Sequence, residues 1–377
     1  MPSANMEMEL QKMQTIDPRG DLKLRVGTKK KKVEDTKEDI KEVGNEDCKE
    51  VDTDNETRCF LVCSRALSRV SPVFDRMIHG PFAEGKPDDG KDWVVELPED
   101  KPSAMELFLN ISHGYLQKTP TKLSMHALYD LTALTHFYDS TPMLAPWVRP
   151  WINALHDPTS GPDDAVPKMI WISWELGHRQ MFEATVRRIT MEGPGSMFAE
   201  GSMLQQLQMP SDVIERICEA RDETVDALLD VFRTLTNLLT VVDERPRWCR
   251  HATYMGPHRC ESMILGSITF CLTRAGLWPI PDDAGDVEHS ILGLYETLSN
   301  LVIHDIGQPI RGEGDHAGCN PRDFLMDQMK EVLTKMPTPL RESDRDQLEA
   351  QAKRLHMPEA PSHTETSNQL WKSEELP

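Results

Sequence analysis

Residues 28–57 read TKKKKVEDTKEDIKEVGNEDCKEVDTDNET, an almost unbroken run of charge. Such a run cannot bury enough apolar area to offset the entropy of ordering it, so a disordered loop is expected there. It constrains the fold through what it separates. Before it, GDLKLRVG (20–27) alternates Leu22, Leu24 and Val26 with polar residues, as a half-buried strand does. After it, RCFLVCS (58–64) reads as a second strand. The two strands must therefore be joined by a long polar loop. Within that loop KKKKVED resembles a basic nuclear-import signal, although most lysine runs are only solvated charge.

The second strand runs into SRALSRVSPVFDRMIHGPFAEG (64–85). Ser64 can cap a short helix, and Ser71-Pro72 restarts one: the serine accepts from orphan N–H groups, and proline at the first helical position loses nothing. Leu67, Val70, Phe74, Met77 and Ile78 fall at steps of three or four and give one apolar face. His79-Gly80-Pro81 ends the pair, with Gly80 free to take a left-handed cap. DWVVELPED (92–100) reads as a third strand with Trp93, Val95 and Leu97 on one face. Helices are expected over 101–116 (Met105, Phe108, Leu109, Ile111) and 123–138 (Leu128, Leu131, Leu134, Phe137). In 140–155, Pro142 and Pro146 mark restarts, and Trp147 and Trp151 share a face. Strands followed by a helical cluster predict a small α+β domain.

Those segments, GDLKLRVG, FLVCSRALSRVSPVFDRMIHGPFAEG, WVVELPEDKPSAMELFLNISHGYL and LYDLTALTHFYD, resemble a BTB/POZ domain of the fungal type. The resemblance covers residues 20–156 and departs from the family in the charged insert 28–57. It implies an interaction module that self-associates and, in many members, holds the cullin scaffold of a ubiquitin ligase. Cullin-binding members carry an apolar-x-Glu element after the helix pair, and Phe82-Ala83-Glu84 matches it. Phe82 would then be a buried anchor and Glu84 a complementary charge. The competing reading tucks Phe82 onto its own core and leaves Glu84 solvated.

The second half reads as all-α. DDAVPKMIWISWELGHRQMFEATVRRITME (163–192) is strongly apolar and resembles the helical extension that follows the BTB domain in these proteins. GPGSMFAEGS (193–202) is a break. Ser211 is expected to cap a long helix reaching about Val242, with Ile214, Ile217, Val225, Leu228, Leu229, Phe232 and Leu235 as its stripe. Such a stripe is usually core, and a coiled-coil contact is the second reading. RPRWCRHATYMGPHRCESMILGS (245–267) and HAGC (316–319) bring cysteine and histidine together. Zinc prefers four thiolate or imidazole donors. Cys249, Cys260, His316 and Cys319 make a Cys3His set for a structural zinc, with His251 or His258 as alternates. The competing reading is buried thiols and surface histidines brought together by chance. Further helices are expected over 260–276, 290–303 and 321–333. From Pro337 the chain turns polar, and RESDRDQLEAQAKRL reads as an exposed helix in a mostly disordered tail, 337–377. The regions are thus a disordered 1–19, the BTB-like 20–156, a helical 163–245, a helical Cys/His-containing 246–336 and the tail.

With 377 residues the chain has room for two domains, and its net charge of −20 repels phosphate backbones, so direct nucleic-acid binding is not expected. No apolar run reaches the length of a membrane span, and MPSANMEMELQK has no leader-like apolar core, so a nuclear or cytoplasmic protein is expected. No glycine-rich phosphate loop, GxSxG elbow or HExxH helix is present, and His113, His126, His136 and His178 sit in helical segments; the chain is not expected to be an enzyme. The expected function is that of a protein–protein interaction module, self-associating through the BTB-like domain and serving as substrate adaptor for a cullin-type ligase. The alternative is a nuclear, transcription-associated regulator acting through protein contacts.

Overall fold

The computed structural model describes residues 13–27, 57–87, 92–155, 165–241, 245–251, 258–304 and 316–357. The charged run over 28–56, KKKKVED within it, and residues 1–12 and 358–377 lie outside the described residues. Alternation of apolar and polar side chains produces β2 (Leu22–Val26), whereas β3 (Arg58–Val62) and β4 (Val94–Leu97) are mostly apolar and bury Phe60 and Val62, and Val95 and Leu97, at every second position. With β1 (Met13–Thr15) they form one mixed sheet in the order β1-β3-β2-β4. β2 runs antiparallel to β3, with Leu24 opposite Phe60, and parallel to β4. Leu22, Leu24 and Val26 are fully buried. Between them, Lys23 and Arg25 point outward and pair with Asp92 at 2.6 Å and Glu96 at 2.5 Å.

β1 corrects the expectation of disorder through residue 19. It runs parallel to β3, and the N–H groups of Ile16 and Asp17 both donate to the Leu61 carbonyl, at 3.0 and 3.1 Å. Backbone pairing and the buried Ile16 hold a segment that has no apolar alternation to announce it.

The helix pair is α1 (Ser64–Val70) and α2 (Pro72–His79). Ser71 caps α2 as expected: its Oγ accepts from Phe74 N–H at 3.0 Å and donates to the Tyr138 carbonyl at 2.6 Å. Ser64 is not a cap. It is the first residue of α1, and its N–H and O–H donate to the Asp21 carboxylate at 2.8 and 2.7 Å. Gly80 also differs from expectation: it is extended (φ −84°, ψ −177°), and glycine is needed because a Cβ would lie 2.3 Å from the Arg76 carbonyl oxygen. Phe74 stacks on Tyr138 at 4.2 Å and Phe108 at 5.8 Å, burial that stabilises by about 2–3 kcal/mol for the phenylalanine alone.

The helices α3 (Pro102–Ser112), α4 (Met125–Phe137), α5 (Ala145–Ala154) and α6 (Ala165–Glu175) complete the N-terminal cluster. Trp147 and Trp151 share a face of α5 as expected, with ring centroids 6.1 Å apart. Phe137 does not join the core. It is 68 % exposed, because α4 ends there and the next residue, Tyr138, takes the inward place.

Two compact units divide the chain. Among the described residues, the first takes those up to 179 together with 346–357, and the second those within 180–345. The expected helical region 163–245 is thus shared between them. The second unit is helical throughout its described residues: α7 (Arg179–Glu192, all but its first residue), single turns at Gly195–Phe198 and Met203–Gln206, α8 (Val213–Thr240), α9 (Arg259–Arg274), α10 (Ile291–Ser299) and α11 (Arg322–Thr334). α8 starts after Asp212, whose left-handed backbone (φ 59°) turns the chain; Ser211 is not its cap. The expected stripe packs inward at Ile217, Val225, Leu228, Leu229, Phe232 and Leu235. α9, α10 and α11 add Ile264, Ile268, Leu272, Ile291, Leu294 and Met329 to that core.

α12 (Glu342–Arg354) is not the exposed tail helix expected from its charge. Leu348 and Leu355 are each 1 % exposed. In the second unit Asp344 pairs with the buried Arg216 at 2.6 Å. In the first, Gln351 donates to the Glu175 carbonyl at 2.7 Å, and Gly177 (φ 66°) passes so close that a Cβ there would lie 2.4 Å from Ala352 N. Among the described residues no helix is long and apolar enough to cross a membrane.

Candidate metal centre and exposed partner loop

Cys260 occupies the first turn of α9. Ahead of it, residues 245–251 have no regular structure, and a buried carboxylate holds them in place. Glu261, 3 % exposed, accepts from the N–H groups of Trp248 at 2.6 Å and Cys249 at 3.2 Å. Trp248 donates from Nε1 to the Cys319 carbonyl at 2.7 Å, which ties the two cysteine-bearing loops together. Cys319 ends a short 3-10 turn whose N–H bond to the His316 carbonyl, 2.9 Å, sets these two side chains close.

The four donor atoms of Cys249, Cys260, His316 and Cys319 converge within 4.8 Å of one another, and all four residues are buried. Cys249 Sγ lies 3.8 Å from Cys319 Sγ and 3.5 Å from His316 Nδ1; Cys319 Sγ lies 3.8 Å from the same nitrogen. A tetrahedron with metal–sulfur bonds of about 2.3 Å and metal–nitrogen bonds of about 2.0–2.1 Å has S···S edges of about 3.8 Å and S···N edges of about 3.6 Å. The contacts match those edges. His251 and His258 lie outside the set. His258 Nδ1 faces Glu261 at 3.3 Å, and exposed His251 stands against the His316 ring at 6.0 Å in a T-shaped arrangement.

Electrostatics sets a condition on metal binding. Burial pushes the Cys260 thiol far up, and the neighbouring sulfurs of Cys249 and Cys319 add to it. Burial raises Cys319 as well. Three buried sulfurs around one point are a poor place for thiolates unless a dication sits among them, and a coordinating thiol is deprotonated outright. Four protein donors leave no place for a reacting water, so a metal held here would be structural.

Sequence reasoning missed Glu261 and Trp248. Glu261 is the third residue of α9, where a glutamate ordinarily reaches back to its own helix cap. Here it reaches the preceding loop instead, and its spacing was a signal that something N-terminal needed an acceptor.

The expected partner residues sit in the first unit, just after α2. Phe82 is 58 % exposed. Its backbone is nonetheless fixed: Gly85 N–H donates to the Phe82 carbonyl at 3.1 Å, and Trp93 Nε1 donates to the Glu84 carbonyl at 2.7 Å. Trp93 itself is buried, so a core side chain anchors the loop, while the phenylalanine ring lies over Gly80 with more than half of the residue exposed. Of the histidines in helical segments, His113 Nε2 accepts from Cys63 N–H at 3.0 Å, and His136 Nδ1 pairs with Glu175 at 2.9 Å. No protein-family model, curated protein or solved structure matches this chain.

Proposed function

We propose that the chain is an interaction adaptor. Its first unit is a BTB-type module that self-associates and docks a cullin-type scaffold through Phe82 and Glu84, and its second unit is a helical domain clipped by structural zinc. The observation that carries the docking reading is the exposure of Phe82 on a loop whose backbone is pinned by Trp93. A half-exposed aromatic ring resting on Gly80 in a pinned loop has much of its ordering cost met before binding, and burying the rest of it supplies the kind of anchor that dominates interface energy. The competing reading, Phe82 tucked onto its own core, requires a buried ring. The order of elements supports the module: two antiparallel strands, a helix pair, a strand parallel to the first of them, then helices.

Zinc is the metal this donor set suits. Three thiolates and one imidazole in a closed tetrahedron favour a soft-to-borderline ion without redox demands. The clip joins the α9 start to two loops that have little regular structure of their own.

The docking test is calorimetric titration of the full chain with a cullin N-terminal domain. Phe82→Ala weakens binding at least about tenfold, roughly 1.4 kcal/mol or more, while leaving the thermal midpoint unchanged. Equal affinity of wild type and Phe82→Ala contradicts the reading.

A further inference from the structure

We propose that the metal centre is a redox-labile clip, in which a peroxide converts Cys249 and Cys319 to a disulfide and expels the zinc. The inference rests on the zinc reading above and concerns what the same four residues do under oxidation.

All three sulfurs lie within 4.8 Å of one another, and the setting of their backbones selects the pair. Cys249 Sγ and Cys319 Sγ are already 3.8 Å apart, and a disulfide needs about 2.05 Å. Closing that gap is easiest where the backbone can yield. Cys249 lies in a loop without regular structure and Cys319 at the end of a 3-10 turn, whereas Cys260 is fixed by the first turn of α9. The Trp248 Nε1 bond to the Cys319 carbonyl holds the two loops together as the ligand set breaks, so the sulfurs stay in reach of each other.

The step balances with hydrogen peroxide as the oxidant. One thiolate sulfur attacks a peroxide oxygen, the O–O bond breaks, and a sulfenic acid and hydroxide result. The second thiolate attacks that sulfur, the S–S bond forms, the S–O bond breaks, and a second hydroxide leaves. Two protons from solvent convert the two hydroxides to water. Each sulfur gives up one electron, and the peroxide takes both. A zinc ion left with only Cys260 and His316 has lost half its donors and departs. Metal clip becomes covalent clip: the two loops stay joined, while the start of α9 and the His316 ring are released.

The experiment uses the full chain, reduced and loaded with zinc, with metal content measured first by mass spectrometry. Hydrogen peroxide is added in the presence of a chromogenic zinc chelator, and the product is mapped by non-reducing peptide mass spectrometry. The expected result is zinc release at least about tenfold faster than without peroxide, with a Cys249–Cys319 disulfide formed in step and both reversed by dithiothreitol plus zinc. Cys271→Ser, a half-buried cysteine outside the set, should release zinc at the wild-type rate. A zinc-loaded chain that keeps its metal under peroxide overturns the proposal and leaves the zinc reading standing. So does release accompanied by a disulfide through Cys260 or Cys271. A chain that takes up no zinc overturns both.

Discussion

Cys249 Sγ and His316 Nδ1 lie 3.5 Å apart, a contact between residues separated by 67 positions in the chain. That is the edge length of a tetrahedral metal site, and it joins two loops that Trp248 also ties together through its bond to the Cys319 carbonyl. The three cysteines of the set are also part of the second unit's hydrophobic core. On the zinc proposal, removing the metal should therefore loosen the core and not merely free a loop. Chelation is expected to lower the second unit's midpoint by about 10 °C, on a scale of roughly 2–4 °C per kcal/mol for a unit of this size. Differential scanning calorimetry with and without chelator measures it, and an unchanged profile would count against a structural metal.

Glu261 offers a separate test of the centre. Glu261→Gln keeps the shape but takes a charged acceptor away from the N–H groups of Trp248 and Cys249. Supporting residues of this kind typically alter metal affinity by about 10–100-fold. Competition against a chromogenic chelator should show zinc affinity falling within that range, with the helix content unchanged by circular dichroism.

The four residues of the Cys3His cluster were legible in the sequence, and the residue that organises their loops was not. Cysteine and histidine announce their chemistry by type, so Cys249, Cys260, His316 and Cys319 could be grouped before any fold was known. Glu261 belongs to the commonest class of charged surface residue, and only its burial gives it a role. The same asymmetry runs through the fold. Ser71-Pro72 and the alternation of Leu22, Leu24 and Val26 are local signals, and both gave the observed element. β1 is held by long-range backbone pairing to β3, and α12 buries Leu348 and Leu355 within a sequence whose charge suggested solvent. Neither leaves a local trace strong enough to read.

Two glycines separate backbone strain from crowding in the first unit. Gly177 and Gly114 both have positive φ, 66° and 76°, but only Gly177 faces a neighbour, Ala352 N, where a Cβ would lie at 2.4 Å. Gly114→Ala is expected to cost about 1 kcal/mol and Gly177→Ala about 3 kcal/mol or more. Equal costs by urea denaturation would show that the Gly177 contact with the C-terminal helix contributes nothing.

His136 sets a pH dependence. Its hydrogen bond to Glu175 raises its pKa above the ordinary value of 6.5, against the opposing effect of burial, with Asp139 adding to the shift. A raised folded pKa gives stabilisation that is fully present below the unfolded value and lost as pH rises through the folded one. The contribution of His136 to the first unit should therefore shrink as pH climbs above 6.5, opposite in sign to those of His113 and His178, whose pKa burial lowers, and His136→Gln should remove that contribution. Denaturation midpoints of both proteins at a series of pH values decide it; a difference between them that does not change with pH assigns the effect elsewhere.

The most direct test of the adaptor reading is light scattering coupled to size-exclusion chromatography, with the full chain run alone and then mixed with a cullin N-terminal domain. The predicted result is a stable co-eluting complex whose mass accounts for both proteins, lost when Phe82 and Glu84 are both replaced by alanine. Two separate peaks at their individual masses, for wild type as for the variant, would contradict it.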